Sequence, residues 1–309
     1  MRGPVAAVDC GTNTIKLLVG DLPDVAVREA RMVRLGQGVD ATGRLADEAL
    51  ERAFAALDEY AVLVREHDVP RENIRFCATS ATRDASNAAV FVAGVRERLG
   101  VEPEVLSGTE EAALSFAGAV RALRTPPAGP VLVVDIGGGS TELVLGDVPA
   151  AGGDAEPRAS CSLDIGSVRL HERHVRADPA TREEVRACVR DIDLALDSCE
   201  VDVAAARTVV GVAGTVTSVA AGVLDLPAYD RDAIDQVRLP VDEVHAMVDR
   251  LVSMTVRERL QLPWLHPGRA DVIDAGALVL SRVLRRATAT DLVVSEADIL
   301  DGIAWSIAR

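Results

Sequence analysis

The sequence predicts an α/β protein of two related lobes with mixed sheets. Three observations predict it. Short β-type apolar runs alternate with amphipathic helical stretches along the chain. A glycine-rich turn, Asp135-Ile136-Gly137-Gly138-Gly139-Ser140-Thr141-Glu142, sits between the apolar runs 131–134 and 143–145. That turn has a second copy. Residues 9–21 align without gaps on 135–147, a constant offset of 126 residues, which is about one domain length. The shared positions are Asp9/Asp135, Gly11/Gly137, Thr14/Ser140, Leu17/Leu143, Gly20/Gly146 and Asp21/Asp147.

In each copy an apolar strand runs into a tight turn and returns as a second strand. Glycine there admits positive φ and, lacking a Cβ, lets successive backbone N–H groups face one anion-sized concavity. The residues expected to line the first concavity are Gly11, Thr12, Asn13, Thr14 and Lys16. Those expected in the second are Gly137, Gly138, Gly139, Ser140 and Thr141. Asp135 and Glu142 flank the second turn, and Asp9 stands at the matching place in the first. Acids beside a phosphate nest repel the ligand unless a cation lies between them. A divalent metal on Asp135, Glu142 and Asp9 is therefore implied. Two such hairpins facing a shared cleft would grip a phosphate chain from both sides.

Bulk properties narrow the field. At 309 residues the chain has room for two domains with full cores. Its 49% hydrophobic and 26% charged residues are those of a soluble globular protein. It shows no leader pattern and no apolar run of bilayer length, so a cytoplasmic protein with no membrane partner is expected. A net charge of −15 and 3% aromatics argue against nucleic acid as a partner. The same charge would slow a polyanion, so a phosphate site must be locally positive or metal-bridged. The five cysteines are scattered and contain no C-x-x-C pair; neither a disulfide framework nor a zinc site is expected.

The first hairpin, at 5–20, is followed by a strand near 25–35 and an amphipathic helix over 47–66. A short strand at 74–79 leads into a polar loop at 80–87, and a helix follows at 88–99. Arg83 in that loop reads equally as a phosphate fork or as a partner of Asp84. Lys16, the only lysine among 33 basic residues, reads equally as a phosphate ligand or as a strand residue reaching for solvent. Thr109 reads as the N-cap of the next helix, with Glu110 and Glu111 complementing its dipole. From composition alone, that structural reading of Glu111 is the favoured one. Pro and Gly at 125–130 mark a boundary, giving lobes 1–125 and 126–309.

The second hairpin opens the second lobe, with a surface excursion at 149–157 and a strand over 158–164. Gly166-Ser167 starts a helix in which His171 and His174 are spaced as a metal pair, though no carboxylates cluster around them. After a helix at 180–198, a strand enters the glycine turn 211–217, which opens a further helix and could hold a nucleotide phosphate. The remainder reads as mainly helical, with one strand near 292–294.

Taken together, VAAVDCGTNTIKLLVGD, ATSATRDASN, LSGTEEAALSFAGAV, LVVDIGGGSTELVLGD, DIGSVRL, VGVAGTVTSVAA and DVIDAGALVL resemble a known family. It comprises the exopolyphosphatases and guanosine pentaphosphate phosphohydrolases, the Ppx/GppA family, in its short two-domain type. The resemblance implies the two-lobed actin/Hsp70/sugar-kinase (ASKHA) fold, made of duplicated ribonuclease H-like domains with an interdomain cleft. It implies hydrolysis of a terminal phosphoanhydride, with Glu111 as catalytic base and with Asp135 and Glu142 positioning magnesium (or manganese) and the attacking water. It places Asn13, Arg83, Ser140 and the N–H groups of Gly137 to Gly139 on phosphate oxygens. The implied substrate is inorganic polyphosphate, in short chains, and a homodimer is expected. Guanosine pentaphosphate is the alternative substrate. A polyphosphate:ADP phosphotransferase and a non-catalytic polyphosphate or nucleotide sensor are further alternatives. Leu300 stands where many family members carry arginine.

Overall fold

The computed structural model describes residues 3–148 and 156–308. It resolves into two compact units, Met1–Gly118 joined by Ile299–Arg309, and Ala119–Asp298.

The first unit runs β1 (Val5–Cys10), β2 (Thr14–Asp21), β3 (Asp24–Met32), α1 (Val39–Thr42), α2 (Asp47–Glu66), β4 (Ile74–Ala78), α3 (Ser80–Asp84), α4 (Ala88–Leu99), β5 (Glu104–Val105) and α5 (Gly108–Arg121). Its sheet has the order β3-β2-β1-β4-β5. β1 pairs antiparallel with β2 and parallel with β4. β1 is buried on both faces. Ala6, Val8 and Cys10 pack into one core with Leu57 and Tyr60 of α2 and Phe91 of α4. Val5 and Ala7 face the other way, onto Leu300, Ile303 and Ala304.

The second unit contains β6 (Val131–Ile136), β7 (Thr141–Asp147), β8 (Glu156–Leu163), α6 (Ser167–His174), α7 (Arg182–Asp197), β9 (Thr208–Val212), α8 (Ala213–Val223), α9 (Arg231–Ile234), β10 (Arg238–Pro240), α10 (Val241–Ser253), α11 (Val256–Arg259), α12 (Ile273–Leu284) and β11 (Asp291–Val294). The order β10-β11-β9-β6-β7-β8 repeats the first sheet, strand for strand, with β10 added at the edge. The repeat extends to register. Val5 pairs with Gly20, and Val131 with Gly146. Irregularities fall at Val19/Gly20 and at Leu145/Gly146. This is the duplicated ribonuclease H-like fold that the family resemblance implies.

Four expectations are corrected. The second lobe was expected to run to 309, yet α13 (Ile299–Ile307) belongs to the first unit. Its apolar face covers Val5, Ala7 and Leu18, with Leu300 in that core. Gly302 makes this docking possible, since a Cβ there would stand 2.0 Å from the Leu114 carbonyl oxygen of α5. Secondly, residues 80–87 do not form only a loop; Ser80–Asp84 closes a helical turn. Thirdly, the helix after β5 is capped by Ser107, not Thr109: the Ser107 hydroxyl accepts from the Glu110 N–H, and the Glu110 carboxylate accepts from the Ser107 N–H. Fourthly, Cys161 and Cys199 form a disulfide. They lie 38 residues apart, and spacing could not reveal that β8 runs beside the end of α7. Cys10, Cys77 and Cys188 are free and buried. Of the excursion expected at 149–157, residues 149–155 lie outside the described residues, and its last two begin β8. Among the described residues no helix is long and apolar enough to cross a membrane.

Candidate active site

The two repeated turns are built alike. The Gly11 N–H donates to the Thr14 carbonyl and the Gly137 N–H to the Ser140 carbonyl, each at 3.0 Å. These two N–H groups close the turns, so Gly137 is not free to bind phosphate through its amide as expected. Behind each turn the carbonyls are tied down. Val33 and Arg34 donate to the Asn13 carbonyl and Gly36 to that of Thr12. In the second unit the first turn of α6 does the same work: Ser167 donates to the Gly137 carbonyl, and Val168 and Arg169 to that of Gly138. The N–H groups of Thr12, Asn13, Gly138 and Gly139 donate to no backbone carbonyl among the described residues.

Close approach of α6 to its turn requires Gly166. A Cβ there would lie 2.4 Å from the Gly138 carbonyl oxygen and 2.6 Å from the Gly139 nitrogen. Gly166→Ala is expected to push the turn out of place and lower turnover at least tenfold, a smaller loss than removing a catalytic group. Steady-state kinetics beside a thermal melt check this. Wild-type turnover would show that α6 does not set the turn.

Several predicted ligand hydroxyls are already committed within the protein. Thr12 Oγ1 shares a hydrogen bond of 2.9 Å with Ser80 Oγ. Thr14 Oγ1 donates to the Met32 sulfur. Thr141 Oγ1 donates to the Ile165 carbonyl. Ser140 is buried at the end of its turn.

The acids differ sharply between the two copies. Asp9 lies directly across from Lys16 on the neighbouring strand, and the two form an ion pair of 3.2 Å. Lys16 thus neutralises an acid instead of reaching for solvent. At the matching positions Asp135 lies across from Glu142, acid against acid. Asp135 is 7% exposed and Glu142 2%. Two carboxylates are thus buried side by side on adjacent strands. Their hard oxygen donors suit magnesium or manganese, and magnesium commonly takes one or two carboxylates and completes its shell with phosphate and water. Among the described residues no group of three or more His, Cys, Asp or Glu side chains could hold a metal. His174 is instead paired with Asp191 at 2.8 Å.

Glu111 and Arg83 come together in the first unit. Arg83 Nη1 donates to the Leu106 carbonyl at 2.8 Å and to Glu111 Oε2 at 3.3 Å, while Asp84 stands at 4.0 Å. The two adjacent acids of α5 have separate fates. Glu110 is exposed and caps the helix, and the Ser107 N–H holds its carboxyl below the ordinary range. Glu111 is 7% exposed and faces a guanidinium. Only Glu111 of the pair is buried.

The turn at 211–217 opens α8 as expected, with Ala213 at φ 66°. Arg269 packs on Gly214 and donates to Ser218 Oγ. Burial lowers the Arg269 pKa, and Tyr229, Glu296 and Asp298 oppose that shift. Sequence reasoning assigned no contact to Ser80, Ser162 or Gly166, which touch Thr12, Glu142 and the Gly138–Gly139 backbone. Gly166 had a signal, in its place directly before a helix, and Ser80 lay in the segment ATSATRDASN; Ser162 had none.

Two repeated glycine turns, one flanked by a buried acid pair, sit at matching places in a duplicated ribonuclease H-like fold. The chain belongs to the Ppx/GppA phosphatase family, whose match covers residues 16–308. It is 48% identical to Exopolyphosphatase 2 of Mycobacterium tuberculosis over 98% of both chains. It superposes on the crystal structure of an exopolyphosphatase-like protein with a TM-score of 0.95, at 43% identity over 99% of both chains. It is also 36% identical to the guanosine-5'-triphosphate,3'-diphosphate pyrophosphatase of Pseudoalteromonas atlantica, over 60% of this chain and 35% of that protein.

Proposed function

We propose that the protein is an exopolyphosphatase that releases terminal orthophosphate from short inorganic polyphosphate chains. The observation that carries this reading is a difference between two turns of like build. One pairs its acid with Lys16, and the other sets Glu142 against Asp135. A pure binder of polyanions gains nothing from a buried acid pair, whereas a hydrolase needs a cation there.

In this reading the N–H groups of Thr12, Asn13, Gly138 and Gly139 hold phosphate oxygens, helped by Arg83, Lys16 and Ser140. Asp135 and Glu142 hold magnesium, which when bound supplies charge neutralisation at the phosphoanhydride. Asp9, with Lys16 as its counter-ion, is left out of the metal set. Glu111 accepts a proton from the attacking water as the new O–P bond forms. The bridging P–O bond breaks, and the shortened chain leaves with its electron pair. The protein is further proposed to work in the cytoplasm, a reading that the Cys161–Cys199 disulfide opposes. A homodimer completes the proposal, and light scattering is expected to give twice the 32.6 kDa of the chain.

The test is phosphate release with magnesium from polyphosphates of graded length and from guanosine pentaphosphate, with ADP added in a third arm. Release from short polyphosphate is the expected result. Release confined to the nucleotide would transfer the reading to a guanosine pentaphosphate phosphohydrolase. ATP formation from ADP would indicate a phosphotransferase. Silence in all arms would overturn the enzyme reading.

A further inference from the structure

The geometry points to Ser162 as a positioning residue for Glu142; this inference rests on the metal role proposed for Glu142. Asp135, Glu142 and Ser162 lie directly opposite one another on β6, β7 and β8. Residues in register on adjacent strands project from the same face of a sheet. Ser162 Oγ donates to Glu142 Oε1 at 2.8 Å, which satisfies one carboxylate oxygen and fixes the side-chain rotamer.

The first unit shows why this contact is more than incidental. Its corresponding row is Asp9, Lys16 and Ala30. There the middle residue is a cation held by the acid beside it, and the third strand offers no polar side chain. Where the middle residue is a second acid, the third strand supplies a hydroxyl. That hydroxyl sits at the free edge of the sheet, where a strand would otherwise be loosest. The neighbouring residue, Cys161, points to the opposite face, packs against the core and is bonded to Cys199 beyond α7. The strand that carries Ser162 is thus anchored one residue away from it.

The test titrates the purified protein with Mn2+, followed by the electron paramagnetic resonance of the free ion, and reads Mg2+ dependence of phosphate release in parallel. Ser162→Ala is expected to weaken Mn2+ binding about tenfold and to raise the half-saturating Mg2+ concentration by a similar factor. Ser162→Thr, which restores the hydroxyl, should recover both. Should the alanine variant fail to fold, Ser162→Val, with a side chain suited to a strand, takes its place. Wild-type Mn2+ affinity in a folded Ser162→Ala protein would overturn the inference. Glu142→Gln and Asp135→Asn separate the two levels. If they lose Mn2+ while Ser162→Ala keeps it, only the role of Ser162 falls. If they bind Mn2+ as the wild type does, or if the wild type binds none, the metal reading falls and the inference with it.

Discussion

Glu111→Gln is expected to lower kcat by on the order of 10²-fold or more, with the fold intact. The amide keeps the size of the side chain and can still accept from Arg83, so packing around α5 should not change. What it loses is the capacity to take a proton from water. Glu110→Gln is the matched control. That residue caps the helix through Ser107 and is exposed, so its loss should register in helix stability and leave kcat near wild type. Rapid-mixing or steady-state phosphate release, read beside circular dichroism, decides the matter. Undiminished turnover in a folded Glu111→Gln protein would remove Glu111 from the mechanism.

The largest expected effect on stability lies away from the phosphate turns. Arg259 is 1% exposed. Its guanidinium donates to the Leu251 carbonyl at 2.9 Å, the Ala270 carbonyl at 3.1 Å and Asp274 Oδ2 at 2.8 Å. Asp274 Oδ1 accepts from the Ala275 N–H at the start of α12. One side chain thereby joins α10, α11 and α12. Arg259→Ala leaves the Asp274 carboxylate buried without its counter-charge and takes one donor from each of the Leu251 and Ala270 carbonyls. The cost is expected to be about 3–5 kcal/mol in chemical denaturation. Lysine cannot reproduce the three-way fork, so Arg259→Lys should recover only part of it. Arg259→Met combined with Asp274→Leu removes both charges and should regain most of the loss. A loss below about 1 kcal/mol in Arg259→Ala would mean that water reaches Asp274 and that the pair is not a buried one.

Much of this protein was legible in its residues because the information was local or repeated. The helices at Asp47–Glu66 and Ala88–Leu99 follow from period-3.6 apolar patterns and end where expected. The paired turns were visible because a glycine turn depends on a few adjacent residues, and the constant offset between copies carried over into register and irregularities. The pairing of Asp135 with Glu142 was legible for the same reason: a hairpin forces its two flanking residues to face each other.

Only the tertiary structure decided what depends on elements far apart in the chain. Composition could not choose between Glu110 and Glu111, and the choice was made by Ser107 capping one and Arg83 reaching the other. Lys16 became a counter-ion because β1 and β2 set it across from Asp9. The final helix joined the first unit because its apolar face fits the uncovered side of β1. Cys161, Cys199 and Ser162 met their partners through the placement of β8 beside β7 and the end of α7. Local sequence determines the turns and the charges they carry. Which charge meets which partner depends on long-range strand order and packing, and that is set by burying apolar faces rather than by any short motif.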